Sequence, residues 1–247
     1  MTSPLVTVAV PSFNQGQFLD AALSSIFEQA TPVEVFVLDG GSTDNSLDVI
    51  RKWEHRLAGW RSAPDDGQAA AINEGIAQGH APYVCWLNSD DWFLPGGLQA
   101  LIDAIEAHPA APAVYGRAWN VVHESGRRYP VWVEPFSEQR LALRCIISQP
   151  ATLIRRSAWD AVGGSDPSLH MVMDYDLWWR LFKSAGALQF VDTFVAVNRV
   201  HADTKTKTQR RLHYSEAMAI VRKHHGNVPW KWWLAQPYAV WFKSLMG

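Results

Sequence analysis

Apolar runs of strand length alternate with segments of helical periodicity over the first 107 residues. Strand-like runs occupy residues 5–11, 33–38 and 83–87, and a shorter one surrounds Trp60. Helical patterns cover residues 17–29, 44–53, 67–78 and 97–107. Strands that alternate with helices predict an α/β fold, in which a mostly parallel sheet is wound in the right-handed sense and flanked by helices.

The pattern changes after residue 112. Shorter, aromatic-rich pieces with a turn signal at Ser125 and Gly126 predict antiparallel strands. Helices are expected at residues 137–145, 174–184 and 209–224, and a pair of strands at 188–200. The last segment, residues 230–243, is rich in Trp and Lys, which is typical of an interfacial helix or of a helix packed on its own domain or on a partner.

Composition narrows the class of protein. The chain has 247 residues, of which 48% are hydrophobic and 19% charged, as in ordinary soluble globular proteins. Cys85 and Cys145 lack the spacing of a metal site. A signal peptide and an apolar run of about 18 residues are both missing, so a cytoplasmic protein without a membrane span is expected.

The net charge of −2 conceals an asymmetry between the two parts of the chain. From Arg199 onward, nine Lys and Arg accompany only two acidic residues. A basic tail could attract the inner face of a membrane or phosphate-bearing substrates, and a solvated helix face is the alternative.

Several common motifs are missing from the sequence. There is no G-x-G-x-x-G after the first strand, no G-x-x-x-x-G-K-[ST], no G-x-S-x-G and no H-E-x-x-H. The first strand also ends without an Asp that could serve as a phosphatase nucleophile. Nicotinamide enzymes, P-loop NTPases, aspartate-based phosphotransferases and serine hydrolases of the elbow type are therefore disfavoured.

Carboxylates follow the predicted strands at intervals. Asp39 ends the second, and the pair Asp90 and Asp91 follows the buried run 83–87. The further acids are Asp65, Asp66, Asp174 and Asp176. In an open α/β sheet these positions meet at one edge, where shared acids repel each other unless a cation such as Mg²⁺ or Mn²⁺ lies between them. Helix capping is the alternative for Asp90 and Asp91.

Five segments resemble, in order and spacing, the family 2 inverting glycosyltransferases with the GT-A fold. They read VPSFNQGQFL, VLDGGSTDNS, APDDGQAAAINEGI, WLNSDDWFLPGGL, and SQPATLIRRSAWDAVGG followed by MDYDLWWRL. The resemblance spans roughly residues 6–201. It implies a Rossmann-like mixed sheet with a nucleotide-sugar half at 1–112, an acceptor half at 113–204, and a basic, Trp-rich helical extension at 205–247.

The resemblance also implies a function. A sugar would move from a nucleotide donor, with UDP favoured, to a saccharide or lipid-linked saccharide acceptor in the assembly of a surface polysaccharide such as an O-antigen. Mn²⁺ or Mg²⁺ is the implied cofactor and no nucleic acid is involved. Two alternatives stay open: a non-catalytic nucleotide-sugar-binding subunit, and a sugar nucleotidyltransferase, although residues 11–16 lack the basic Gly-rich loop of that class. A homo-oligomer and a peripheral membrane contact of the tail are also left open.

By resemblance, three groups of residues would bind the donor. The nucleoside pocket would contain Pro11, Ser12, Phe13, Asn14 and Asp39, with a turn cap as the alternative for Asp39. Asp65, Gln68 and Asn73 match a second nucleotide-facing loop and helix. Ile72 stands where many members have Arg, which leaves the diphosphate contacts there undefined. Arg199, Lys205 and Lys207 would meet the diphosphate.

The metal site implied by the resemblance comprises Asp90, Asp91 and His201. Asp91 is favoured for the metal and Asp90 for the ribose, with the reverse assignment left open. Asn88 replaces the first acid of the usual Asp-x-Asp motif.

Asp174 is the implied general base, although Met173 replaces the acid that often precedes it. Asp176 is expected to pair with Arg180 four residues later on the same helix. Gln149 and Trp178 are candidates for the acceptor site. We expect only one of Trp178 and Trp179 to face the core, because adjacent residues of a helix point in different directions.

Overall fold

The computed structural model describes residues 3–202, 204 and 208–237, the last three of these by their backbone only. Nine strands form one sheet in the order β3-β2-β1-β4-β8-β6-β9-β5, with β7 paired to β6. The strands are β1 (Val6–Ser12), β2 (Val33–Asp39), β3 (Gly59–Ser62), β4 (Tyr83–Trp86), β5 (Trp92–Phe93), β6 (Ala113–Val122), β7 (Arg128–Pro130), β8 (Thr152–Arg155) and β9 (Gln189–Val200).

Helices cover both faces of this sheet. They are α1 (Gly16–Phe27), α2 (Ser46–Trp53), α3 (Gln68–Gln78), α4 (Gly97–Ala107), α5 (Glu138–Leu143), α6 (Arg156–Val162), α7 (Met173–Ala185), α8 (Arg210–His225) and α9 (Trp230–Pro237). Neighbouring residues of β1 show the two faces: Val8 and Val10 pack with Leu19 of α1, whereas Ala9 packs with Ile72 of α3. The predicted flanked α/β sheet is confirmed.

The first half is parallel, as predicted. β1 pairs in parallel with β2 and β4, and β2 with β3. The strand ends that carry Ser12, Asp39 and Trp86 therefore point to the same edge of the sheet, which is where ligands collect in folds of this kind.

The second half agrees with the prediction in part, since β6 and β7 pair antiparallel across the turn at Ser125 and Gly126. β8 is antiparallel to β4 and β6, but β6 and β9 run parallel to each other along most of their lengths. Residues 188–200 do not form two strands. They form the single strand β9, whose pairing with β6 shifts in register near Gly116 instead of breaking. Glycine at position 116 has no Cβ atom. A Cβ atom there would lie only 2.9 Å from the Thr193 carbonyl oxygen, so glycine permits the close approach of the two strands at the register shift.

The C-terminal helices pack on the acceptor-side half of the predicted domain. Trp232 of α9 is buried and donates its Nε1 proton to the Ala142 carbonyl at 2.8 Å, whereas Trp230 and Trp233 are exposed. Residues 205–207 and 238–247, with Lys205, Lys207 and the end of the Trp-rich segment, lie outside the described residues. Within the described part, no helix combines the length and apolar character needed to cross a bilayer.

Candidate active site

A cavity of about 760 Å³ opens beyond the carboxyl ends of β1, β2 and β4. The strand ends contribute Ser12, Leu38 and Trp86 to its wall, and the loop after β4 contributes Asn88 to Asp90. The start of α7 adds Met173 and Asp174. The cavity thus joins both halves of the chain, because its wall residues come from motifs on either side of residue 112.

The loop after β1 forms one end of the cavity, as predicted for Pro11, Ser12 and Phe13. The Phe13 ring is 61% exposed, which leaves an aromatic face open for stacking. The buried Ser12 hydroxyl and Gln15 Oε1 have no hydrogen-bond partner in the described part of the chain. Buried polar atoms are usually satisfied, so these two are suited to receive a polar ligand.

Asp65 and Gln68 also line the cavity, in agreement with their predicted placement. Asp65 accepts a hydrogen bond from Gly67 N at 2.9 Å and forms an ion pair with Arg61 at 3.3 Å. Gln68, in the first turn of α3, donates to Asn88 Oδ1 at 2.7 Å. These bonds fix the side chains at the start of α3, where backbone N–H groups favour an anion.

Asp39 and Asn14 do not line the cavity; each one caps a loop instead. Fully buried Asp39 accepts from Ser42 N, Ser42 Oγ and Ser62 Oγ at 2.5–2.9 Å. Asn14, with a positive φ of 51°, accepts from Thr43 N at 2.8 Å. The turn-cap alternative for Asp39 therefore describes this structure, and the predicted pocket contact of Asn14 is replaced by a contact that orders the loop after β2.

Asn73 likewise serves the fold instead of the cavity wall. Its amide donates to the Ser165 carbonyl at 2.8 Å and accepts from Ser165 N at 2.9 Å. Gly164, with a φ of +71°, provides the left-handed turn that brings Ser165 within reach. Both hydrogen-bonding sides of the Asn73 amide are occupied and Asn73 does not line the cavity, so its nucleotide contact stays a prediction.

Of the two adjacent acids after β4, Asp90 reaches the cavity. Its Oδ2 lies 3.1 Å from Nε2 of His201, a buried residue at the end of β9. Asp90 therefore lines the cavity, and the His201 imidazole lies behind it as its hydrogen-bonding partner. Within the described residues there is no group of three or more His, Cys, Asp or Glu arranged to hold a metal.

Asp91 turns away from the cavity. Its Oδ1 accepts from Arg199 N at 3.0 Å and its Oδ2 from Asn88 Nδ2 at 3.2 Å. Burial, followed by repulsion from Asp90, raises the pKa of Asp91 well above its usual range. The preference for Asp91 as the metal ligand is therefore not supported by its placement, because both oxygens bind the protein itself.

Arg199 does not meet the cavity either. Its guanidinium lies between the rings of Phe18 and Trp92, 4.7 and 4.5 Å from their centroids, and its Nε donates to the Asp90 carbonyl. Cation–π packing holds the guanidinium, and its hydrogen bond holds the backbone of Asp90, while the phosphate contact of Arg199 stays a prediction.

Asn88 connects the two sides of the cavity. It accepts from Gln68 and donates to both Asp91 and Gln149 Oε1, the latter at 3.2 Å. Gln149 donates in turn to the Trp86 carbonyl at 2.8 Å. Gln149 lines the cavity, as predicted. An amide at position 88 can donate to Asp91, which an acid in the same place could not do without a proton.

Asp174 stands in the first turn of α7 and lines the cavity. Its Oδ1 accepts from Tyr175 N at 2.8 Å. Burial raises the pKa of Asp174 to about 6. A carboxylate with this pKa can accept a proton near neutral pH more readily than an ordinary Asp, which suits a general base.

Asp176, two residues later, has a structural role. The predicted ion pair with Arg180 is confirmed, with a 2.5 Å distance from Nε to Oδ2. Asp176 also accepts from His224 and Lys223 of α8. Burial opposes ionisation, but the hydrogen bonds from His224 and Arg180 hold the pKa of Asp176 well below its usual range.

The prediction that only one of Trp178 and Trp179 faces inward is wrong, because both are fully buried. Trp178 stacks on Trp86 with ring centroids 5.9 Å apart, and Trp179 stacks on His224 at 5.9 Å. Helix α7 is covered on two sides, by the sheet and by α8. Trp178 is therefore not available to an acceptor, whereas Trp86, on which it stacks, is among the residues that line the cavity.

Replacing Trp178 by Ala should consequently reduce stability. We expect a loss of about 3–5 kcal/mol in the free energy of unfolding, measured by urea denaturation, because removal of a large buried ring leaves a cavity. The control is Trp132→Ala, at a residue 58% exposed, with an expected loss below about 1 kcal/mol. Equal losses in the two variants would contradict the buried placement of Trp178.

Comparison with known proteins identifies the family of the chain. The model of the family described as "Glycosyl transferase family 2" matches residues 7–162, which is more than half of the chain. The chain belongs to glycosyl transferase family 2. It is therefore an enzyme of the glycosyltransferase class, and the predicted resemblance is confirmed.

Relatives of this family 2 glycosyltransferase include an uncharacterized glycosyltransferase of Rickettsia prowazekii, 23% identical over 83% of this chain and 67% of that one. The chondroitin synthase of Pasteurella multocida is 25% identical over 85% of this chain, and that of Escherichia coli is 24% identical over 80%. The chain spans only 22% and 29% of the lengths of these two synthases.

Solved structures show that this family 2 glycosyltransferase has the GT-A fold. S. aureus TarS (1–349), in complex with UDP-GlcNAc, superposes with a TM-score of 0.74 at 18% identity, covering 95% of this chain and 73% of that one. The mannosyltransferase PcManGT from Pyrobaculum calidifontis, in complex with GDP-Man and Mn²⁺, gives 0.69 at 19% identity, covering 99% and 74%.

Several cavity residues of the glycosyltransferase were not predicted. Besides Gln15 and Trp86, they include His170 and Met171, which directly precede α7. Their position just before Asp174 was the available signal, because residues next to a helix start lie near its first turn. His170 and Met171 lie between the segments that resemble the family, so the motifs did not single them out.

Proposed function

We propose that the protein is a metal-dependent, inverting glycosyltransferase that moves a sugar from a nucleotide donor to a saccharide hydroxyl. The observation that carries this proposal is that Asp90 and Asp174 line one cavity. Asp90 stands beside His201, where a cation could be held. Asp174 has the raised pKa of a base. One cavity thus contains the groups for leaving-group stabilisation and for proton removal.

Asp90 and His201 fit the ligands of Mg²⁺ or Mn²⁺. Both ions accept carboxylate oxygen, and Mg²⁺ commonly binds through one or two carboxylates together with substrate phosphates. Asp90 and His201, whose Oδ2 and Nε2 atoms lie 3.1 Å apart, would hold the ion, and oxygens of the donor diphosphate would supply further ligands. When bound, the ion would act as a Lewis acid that stabilises the charge of the departing nucleoside diphosphate.

Asp174 serves the acceptor. Its carboxylate takes the proton of the acceptor hydroxyl while that oxygen forms a bond to C1 of the sugar. The bond from C1 to the diphosphate oxygen breaks at the same time, and the nucleoside diphosphate leaves with the electron pair. One displacement without a covalent intermediate inverts the configuration at C1.

A uridine diphosphate donor is the proposed class. The exposed ring of Phe13 offers a stacking face at the β1 end of the cavity, and Ser12 and Gln15 supply unsatisfied polar atoms beside it. The structurally similar TarS is in complex with UDP-GlcNAc, and PcManGT with GDP-Man, so the nucleotide base requires a direct test.

A donor screen tests the proposal. Nucleotide release from UDP-, GDP- and dTDP-sugars is measured with oligosaccharide acceptors, in Mn²⁺, in Mg²⁺ and in EDTA. We expect release from a UDP-sugar that depends on both the metal and the acceptor, and NMR of the product should show an inverted anomeric centre. Metal-independent release, or a retained configuration, would contradict the proposal.

The relatives support a proposal for the biological setting. Chondroitin and hyaluronan synthases are among them, and both names denote polysaccharide synthesis. We propose that this chain contributes one sugar-transfer step to the assembly of a surface polysaccharide. The chain spans only about a fifth of the length of these two synthases, so a saccharide acceptor is proposed here and is not taken from them.

The pH dependence of turnover gives a further prediction. The base must be ionised to accept a proton, and burial raises the pKa of Asp174 to about 6. We therefore expect kcat to rise with pH, with an apparent pKa of about 6. Initial rates at saturating donor and acceptor between about pH 5 and pH 8 measure this. A kcat that falls with rising pH in this range would exclude the assignment.

A further inference from the structure

Helix α8 contacts the wall of the cavity through Glu216. The Glu216 carboxylate accepts hydrogen bonds from two consecutive backbone amides, Met171 N at 2.9 Å and His170 N at 3.4 Å. Both residues line the cavity. Hydrogen bonds to a carboxylate are stronger than those between neutral groups, so one side chain fixes this short stretch of backbone.

The stretch that Glu216 binds leads directly into α7. Val172 is the N-cap of the helix and its carbonyl accepts from Asp176 N at 3.0 Å. Val172 has no side chain that could cap the helix, unlike the Ser, Thr, Asp or Asn preferred there. The two amides bound by Glu216 lie immediately before this point, so they help define where α7 begins and where Asp174 stands.

Helix α8 is itself held firmly against α7. Fully buried Asp176 accepts from His224 at 2.8 Å and Lys223 at 3.2 Å, both near the end of α8. The His224 ring stacks on Trp179 with an interplanar angle of 4°. Glu216, two turns earlier on the same helix, is therefore presented to residues 170 and 171 from a fixed element.

We propose that Glu216 is a positioning residue, which holds the wall formed by His170 and Met171 and the carboxylate of Asp174 in the geometry that sugar transfer requires. Glu216 acts through the backbone and does not touch substrate. The kinetic part of this proposal rests on the proposed function. The structural part, the anchoring of two amides, does not.

Amide hydrogen exchange tests the anchoring. In Glu216→Ala, the peptide that contains residues 170 and 171 should exchange roughly tenfold faster than in the wild type, because both amides lose their acceptor. Glu106→Ala, at an exposed residue of α4, is the control and should leave this peptide unchanged. Unchanged exchange in Glu216→Ala would overturn the proposal, whatever reaction the protein catalyses.

Kinetics test the positioning role. With the best donor of the screen, kcat of Glu216→Ala should fall about tenfold while the affinity for UDP, measured by calorimetry, stays within about twofold. Glu216→Gln keeps one acceptor oxygen, so it should lose only about threefold. A kcat within twofold of wild type, together with faster exchange, would overturn the positioning role.

Two further outcomes are distinguishable. If Glu216→Ala fails to bind UDP because it does not fold, Glu216→Gln carries both measurements. If the wild type releases no nucleotide from any donor, the proposed function fails, and hydrogen exchange still decides whether Glu216 anchors the wall.

Discussion

Asp174→Asn should lose about 10³-fold in kcat while its affinity for UDP stays within about twofold of wild type. Asparagine has nearly the same shape as aspartate but cannot accept a proton from the attacking hydroxyl. The nucleotide end of the cavity, around Ser12 and Phe13, is not altered by this change. Nucleotide release at saturating substrates and calorimetry with UDP measure the two quantities.

The control for this variant is Asp160→Asn on α6, at an exposed residue outside the cavity wall, which should keep near-normal turnover. Turnover of Asp174→Asn within tenfold of wild type would remove Asp174 as the base. A loss of UDP affinity equal to the loss of kcat would indicate damage to the whole site instead of loss of proton transfer.

The same variant should be more stable than the wild type at pH 8. Burial raises the pKa of Asp174 from its ordinary 3.8 to about 6, so the folded state disfavours the ionised form. The free energy of unfolding of the wild type therefore falls as the pH rises between these two pKa values, and it does not recover at higher pH. Asparagine removes that cost, which we place at about 1–3 kcal/mol because the carboxyl group is partly open to the cavity. Urea denaturation at pH 8 and at pH 4 should show the gain only at the higher pH.

The second large effect is expected for Asp90→Asn. In the presence of Mn²⁺, its affinity for UDP should fall at least about 100-fold, more than the loss of an outer-sphere partner usually costs. The reason is that Asp90 lines the cavity and stands beside His201. In EDTA the variant and the wild type should bind UDP equally weakly. Calorimetric titration with UDP, with and without the metal, measures the difference.

Asp91→Asn is the matched control, because it makes the same chemical change one residue later. The Asp91 side chain accepts hydrogen bonds from Arg199 N and Asn88 and does not line the cavity. The affinity of the variant for UDP in Mn²⁺ should therefore stay within about threefold of wild type. If Asp91→Asn lost metal-dependent binding and Asp90→Asn retained it, the metal would belong to Asp91, as first expected from the sequence.

Most of the fold could be predicted from the sequence. The alternation up to residue 107 gave the parallel half, because buried strands and amphipathic helices have different hydrophobic periods. The parallel pairing of β6 with β9 could not be predicted in this way. It joins strands that are separated by three helices, and local patterns contain no information about such distant partners.

The site was predicted unevenly, and the acids show why. Asp90 and Asp174 line the cavity, whereas Asp39 and Asp91 bind loop amides and hydroxyls. All four lie at or next to the end of a regular element, where a carboxylate can either cap the backbone or face a ligand. Sequence spacing does not distinguish these two uses. The side-chain direction decides between them, and it depends on neighbours such as Ser42 and Arg199.

The buried carboxylate of Asp176 also has a consequence for the order in which the chain folds. During synthesis, Asp176 emerges 47 residues before Lys223 and 48 before His224, which complete its hydrogen bonds. Until then Arg180 is the partner available within the same helix. Burying a carboxylate with incomplete pairing costs free energy, so we expect α7 to reach its final packing only after α8 has folded against it. The final packing of α7 therefore waits until α8 has left the ribosome.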